Sequence, residues 1–164
     1  LADTLKDHPY LNSSLVGNEI ILKKFYNLGV AVDTDDGLVV PVINDIDKKE
    51  LYSIANDIVD LATRAKTRQL KVNEMKNSTF TVTNLGSIGV KYFTPIINYP
   101  ESAILGLGKI EDRITTDGEN IVLQKILPLS LTYDHKIVDG AVASRFMIDF
   151  IKKLEEGKIK WLIG

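Results

Sequence analysis

Apolar residues recur at Leu51, Ile54, Ala55, Ile58, Leu61, Ala62 and Ala65, with polar and charged side chains between them. That spacing predicts an amphipathic helix with one face turned toward a core. Ahead of it, Asp47-Lys48-Lys49-Glu50 has the spacing of a capping box, with Asp in place of the usual Ser or Thr. A second helix is expected over 141–156, where Ala143, Phe146, Met147, Phe150, Ile151 and Leu154 share a face. Asp139, followed by Gly140, is its natural N-cap. The opening residues LADTLK read as the tail of another helix, stopped before Pro9. That tail has no cap, so the chain is expected to start inside an element.

Between the helices the apolar runs shorten. Segments 19–22, 27–34, 38–43, 79–83, 102–110, 121–123 and 126–133 are bounded by Gly, Pro, Asn and Asp and are expected as strands. Asp35-Asp36-Gly37 folds 38–43 back on 27–34 as a hairpin, and Asp117-Gly118 turns the chain toward 121–123. Pro41 places part of its arm on a sheet edge or at a bulge. Gly86 and Gly89 imply an open turn after 79–83, and Pro95 and Pro100 bracket an irregular stretch. The fold class expected is α+β, with a mixed β-sheet and helices packed chiefly on one face, as one domain over 1–164.

Composition narrows the function. A chain of 164 residues builds one core and is short for two. A net charge of −2 gives no reason to expect nucleic acid, whose binders carry a basic excess. No apolar run approaches a membrane span. The absence of cysteine excludes disulfides, thiolate nucleophiles and thiolate metal sites. His8 and His135 are the only histidines and are far apart in sequence, so no metal is expected.

Base chemistry therefore leans on His135, whose side-chain type exchanges protons near neutrality. It stands where the run 126–133 breaks at Asp134, shortly before the second helix opens. A packed structural histidine is the plain alternative. Asp139 fits both readings, since a carboxylate that caps the helix also locks the loop holding His135. Asp134 reads as an exposed turn residue with no role. Gly106-Leu107-Gly108 lacks the third glycine of a dinucleotide fingerprint, because Glu111 stands there and no helix follows; a close-packing turn accounts for it. The segment TVTNLG at 81–86 is either a strand ending in a glycine turn or a hydroxyl and backbone N–H groups facing a pocket.

Four ordered blocks carry a resemblance over nearly the whole chain. They are NLGVAVDT at 27–34 with GLVVPVI at 37–43, FTVTNLGSIG at 80–89, FTPIINYPE at 93–101 running into AILG at 103–106, and LSLTYDHKIVDG at 129–140. Together they resemble the catalytic core of the dihydrolipoamide acyltransferases of 2-oxoacid dehydrogenase complexes, a fold shared with chloramphenicol acetyltransferase. The last block contains that family's HxxxDG signature.

The resemblance implies transfer of an acyl group, acetyl or branched-chain rather than succinyl, between dihydrolipoamide and coenzyme A. His135 falls on the family's general base and Thr83 on its oxyanion donor, with Asp139 as the signature carboxylate. Such a base is needed because a thiol with a pKa of about 8.5 is mostly protonated at neutral pH. Asp33, Asn84, Ser87, Ile88, Gly108 and Ile110 are implied to line the coenzyme A channel.

In this family base and donor come from neighbouring subunits, which implies a homotrimer that assembles into a larger shell. The implied partners are a lipoyl domain, absent from this chain together with its lipoyl group, and the decarboxylating dehydrogenase and dihydrolipoamide dehydrogenase components. The implied compartment is the cytoplasm, or the mitochondrial matrix in a eukaryote. Relatives also carry a core segment ahead of Leu1 with a basic residue for coenzyme A, so a truncated domain is expected. Two alternatives are a non-catalytic scaffold that only builds the shell and an antibiotic-type acetyltransferase; the 37–43 and 93–106 blocks favour the dehydrogenase-complex branch.

Overall fold

The computed structural model describes residues 1–156. Strands β1 (Ser13–Val16) and β2 (Glu19–Leu22) form a first hairpin, and β4 (Val32–Thr34) and β5 (Gly37–Val39) a second. A third pairs β9 (Glu111–Asp117) with β10 (Asn120–Ile126). The central sheet contains β3 (Leu28–Val30), β6 (Val42–Ile43), β7 (Phe80–Asn84), β8 (Ala103–Leu107) and β11 (Leu129–Tyr133), in the order β11-β8-β7-β3-β6. Strands β3, β7 and β8 run parallel, and the outer β6 and β11 run antiparallel to their neighbours.

Alternation along β7 gives this sheet two unlike faces. Phe80 is fully buried and Val82 packs beside it, so Thr81 and Thr83 emerge on the opposite side. Helices α1 (Ala2–Asp7), α2 (Leu51–Lys66) and α3 (Gly140–Glu155) all feed the apolar side. Leu5, Leu61, Phe146 and Phe150 join Leu28, Phe80, Ala103 and Leu105 in one core cluster. Phe146 is its hub, with ring centroids 6.0 Å from Phe80 and 6.1 Å from Phe150. The expected α+β class, mixed sheet and helical face are therefore present.

His8 has a structural place in this packing. Its ring meets Phe146 edge-on at 5.7 Å, and its Nε2 lies 2.7 Å from Asp149 Oδ2, tying α1 to α3.

Several elements differ from the sequence pattern. The arms 27–34 and 38–43 do pair, but as two short ladders in two sheets. Pro41, buried at the break, accepts from the Val30 N–H at 2.9 Å and has no N–H to return, which interrupts the ladder. Helix α2 starts at Leu51 with Glu50 at the N-cap and no side-chain cap. Asp47 does not cap it, because it lies in a preceding 3-10 turn, Ile46–Lys48, and pairs with Lys6 at 3.4 Å. Ala55 faces solvent. The strand expected over 102–110 ends at Leu107, after which the Gly108 N–H turns to the Pro128 carbonyl at 2.8 Å. Strand β1 was hidden by its serines; Ser13 is buried because its hydroxyl donates to the Tyr10 carbonyl at 2.7 Å.

Candidate active site

The loop that presents His135 is fixed at both ends. Where β11 stops, the Asp134 N–H donates to the Ser102 carbonyl at 2.8 Å. Asp134 Oδ1 then accepts from the Lys136 N–H at 2.9 Å, an Asx turn bracketing His135. The Asp134 carbonyl accepts from Ile137 and Val138 at 2.9 and 3.0 Å, and the Val138 side chain is buried. Past it, Asp139 Oδ1 accepts from the Val142 N–H at 2.8 Å and caps α3. The imidazole stands exposed above this frame, its centroid 5.2 Å from that of Tyr133. Asp139 thus serves the helix and the loop end. Asp134 is a framing residue that sequence reasoning passed over; its turn-forming type was the available signal.

Thr83 sits on the hydroxyl face of the sheet, half-buried, opposite Gly106 on β8, which in turn faces Ser130 on β11. A Cβ on Gly106 would come within 2.8 Å of Phe93 Cζ, so glycine there lets the Phe93 ring cover the strand beside Thr83. Gly108 has the same logic, since a Cβ would lie 2.0 Å from the Lys91 carbonyl oxygen. Close packing therefore explains the GLG run.

The remaining candidates gather at one edge. Strands β3, β7 and β8 are parallel, and their carboxyl ends lead respectively to Asp33, to Asn84, Ser87 and Ile88, and to Gly108 and Ile110. Cross-ties hold this edge together: the Leu85 N–H donates to the Leu107 carbonyl at 3.2 Å and the Lys109 N–H to Val90 at 2.8 Å. Asn84 Oδ1 accepts from the Gly86 N–H at 2.9 Å. Ile88 and Ile110 are 75% and 57% exposed, an apolar rim that the core leaves uncovered. Open parallel sheets bind ligands at this edge.

His135 is at the other edge, because β11 runs antiparallel to β8. Tyr133 lies three residues past Ser130, the residue in register with Thr83 two strands away. At strand spacings that separates the Thr83 and Tyr133 backbones by roughly 14 Å, with His135 further out. One chain therefore brings Thr83 to the edge where Asn84, Ser87, Ile88, Gly108 and Ile110 lie, with Asp33 three residues beyond the end of β3 on the β4–β5 hairpin, and leaves His135 and Asp139 apart from them. Among the described residues no group of three or more histidines and acids is placed to hold a metal, and no helix is long and apolar enough to cross a membrane.

A profile of the 2-oxoacid dehydrogenases acyltransferase (catalytic domain) family matches residues 1–162. The chain belongs to that family. The dihydrolipoyllysine-residue acetyltransferase component of the pyruvate dehydrogenase complex from Bacillus subtilis is 45% identical over 157 residues, covering 94% of this chain and 35% of the relative. This member of the family thus spans about a third of that curated relative's length. The solved cubic core of a pyruvate dehydrogenase multienzyme complex superposes with a TM-score of 0.86 at 44% identity, over 89% of this chain and 61% of that one. A dihydrolipoamide acetyltransferase from Azotobacter vinelandii, studied for the role of a serine, a histidine and an asparagine in its catalytic mechanism, gives 0.84 at 44% identity, over 87% and 60%. Chloramphenicol acetyltransferase matches at 17% identity with a TM-score of 0.51, over 88% and 69%, and shares the fold alone.

Proposed function

We propose that this acyltransferase domain moves an acetyl group between the thiols of dihydrolipoamide and coenzyme A, at a site that two copies of the chain complete. One observation carries the assignment of roles. In the Azotobacter enzyme the serine precedes the histidine by fifty-two residues and the asparagine follows it by four, and Thr83, His135 and Asp139 keep those intervals. Thr and Asp stand here for Ser and Asn; each substitute retains the hydroxyl or the acceptor oxygen that its place requires.

In the proposed reaction the imidazole of His135 takes the proton of the attacking thiol. The thiolate sulfur bonds to the thioester carbonyl carbon, whose π electrons move to oxygen. The Thr83 hydroxyl donates to that oxyanion. Collapse restores the carbonyl and expels the second sulfur as a thiolate, which recovers the proton from the imidazolium. A positioned base supplies roughly 10²–10⁴-fold and one oxyanion donor about 10²–10³-fold. The edge carrying Asp33, Asn84, Ser87, Ile88, Gly108 and Ile110 is assigned to coenzyme A: its isoleucines suit the pantetheine arm and its polar groups the amides.

Because His135 and Thr83 lie on opposite edges of one chain, His135 of a second copy serves each Thr83. Three such contacts closing on themselves make the proposed homotrimer, and the cubic core seen for a relative supports assembly of such units into a shell. A lipoyl domain and the two dehydrogenase components of the complex are the proposed partners. The test is acetyl transfer from acetyl-coenzyme A to free dihydrolipoamide by the assembled protein. His135→Ala and Thr83→Ala are each expected to lower kcat at least about a hundredfold with assembly intact. Full turnover by His135→Ala, or assembly without any transfer by the wild type, would sink the proposal; the latter result would mark a scaffold.

A further inference from the structure

Glu101 lies two residues before the start of β8 and is only 5% exposed, although carboxylates are seldom buried without a purpose. Thr81 Oγ1 donates to its Oε1 at 2.8 Å, and Asn98 Nδ2 donates to the same oxygen at 3.1 Å. Asn98 also reaches Thr81 Oγ1 at 3.3 Å, and its carbonyl accepts from the Glu101 N–H at 2.9 Å.

These contacts span an excursion of the chain. Residues 85–100 leave β7 just after Thr83 and Asn84 and return at Glu101. Thr81 stands on β7, two residues before Thr83 and on the same face. The carboxyl group therefore binds the end of the excursion to the strand from which it departed. What the excursion carries is the wall of the site: Ser87 and Ile88 near its start, and Phe93 laid over Gly106 beside Thr83. The ladders to β3 and β8 hold β7, and the Leu85–Leu107 and Lys109–Val90 ties hold the start of the excursion, so releasing the clasp moves its return from Phe93 onward and leaves Thr83 in place.

The second carboxyl oxygen shows which property is needed. Oε2 has no partner at ordinary hydrogen-bond geometry, and neither has Ser14 Oγ, although Ser78 and the Lys23 ammonium both favour the charged carboxyl; Ser14, Lys23, Ser78 and Glu101 line one cavity of about 520 Å³. Acceptance at Oε1, which an amide oxygen reproduces, is what the clasp uses.

We infer that Glu101 is a positioning residue for acyl transfer: through Thr81 and Asn98 it sets the 93–100 part of the wall, with the Phe93 ring, against Thr83. The inference rests on Thr83 being the oxyanion donor. Glu101 acts through other groups and reaches no reacting atom.

Steady-state acetyl transfer by the assembled protein tests it, with Glu101→Ala, Glu101→Gln and Thr83→Ala compared. Glu101→Ala is expected to raise KM for acetyl-coenzyme A about tenfold while kcat falls by less than about threefold. Loss of folded protein alone would lower apparent kcat and leave KM unmoved. Glu101→Gln, which keeps the Oε1 acceptor, is expected within about twofold of wild type in both constants. An unchanged KM in Glu101→Ala, or Glu101→Gln as impaired as Glu101→Ala, overturns the positioning role. Full kcat in Thr83→Ala overturns the reading of Thr83 instead, so the two failures are told apart. Should Glu101→Ala fail to assemble, Asn98→Ala removes one donor to the same oxygen and carries the same expected rise in KM; no rise there overturns the inference.

Discussion

Asp134 and Lys136 close a short ring around His135: the Asp134 carboxylate accepts from the Lys136 backbone N–H at 2.9 Å, a turn that shapes the backbone on which the histidine stands. Asp134→Ala is expected to lower kcat about tenfold while KM moves little, because the imidazole is misplaced and the coenzyme edge is untouched. Asp134→Asn keeps the acceptor and should behave as wild type. Equal kcat in wild type and Asp134→Ala would show that the turn does not orient the base.

The separation of Thr83 from His135 along and across the sheet makes a second expectation. His135→Ala and Thr83→Ala chains, each inactive alone, should regain activity when unfolded together and reassembled. In a random equal mixture about one quarter of interfaces pair an intact Thr83 with an intact His135. Recovery near that fraction supports the shared site, and none in well-formed mixed assemblies counts against it.

Asp139 caps α3 through the Val142 N–H at 2.8 Å. Asp139→Ala is expected to cost about 1 kcal/mol of stability in chemical denaturation. Asp139→Asn should cost much less, since the amide oxygen caps as well. Identical midpoints for Asp139→Ala and wild type would remove the cap from the account.

Burial pushes the Glu101 carboxyl above its ordinary value of 4.5, against the hydrogen bonds that favour its charged form. The folded chain therefore holds this proton more tightly than the unfolded chain. Its contribution to stability is fully present below the unfolded pKa and is lost as pH rises through the folded one. Glu101→Gln has no such proton, so wild type should lose stability relative to it as pH is raised from about 4 toward neutrality. Denaturation midpoints across that range are the measurement, and parallel curves would refute the shift.

Some parts of the molecule were legible because the signal is local. The α3 face, its Asp139 cap and the turn at Gly118 follow from spacing and residue type within one element. The GLG run reads as close packing from sequence, and the structure shows what packs there: the Phe93 ring on Gly106 and the Lys91 carbonyl on Gly108. The Asp47 cap was misread because Lys6, distant in sequence, takes that carboxylate. Glu101 left no local sign: an acid between Pro100 and Ser102 looks like a solvated turn residue until Thr81 is placed beside it.

The sequence by itself determined the periodicities, and hence an apolar side for each helix and for the main sheet, together with the residue types able to move a proton and meet an oxyanion. Tertiary structure alone decided their separation. Strand direction is set by long-range pairing that no short window contains, and the antiparallel course of β11 beside parallel β3, β7 and β8 sends His135 to the edge away from Thr83.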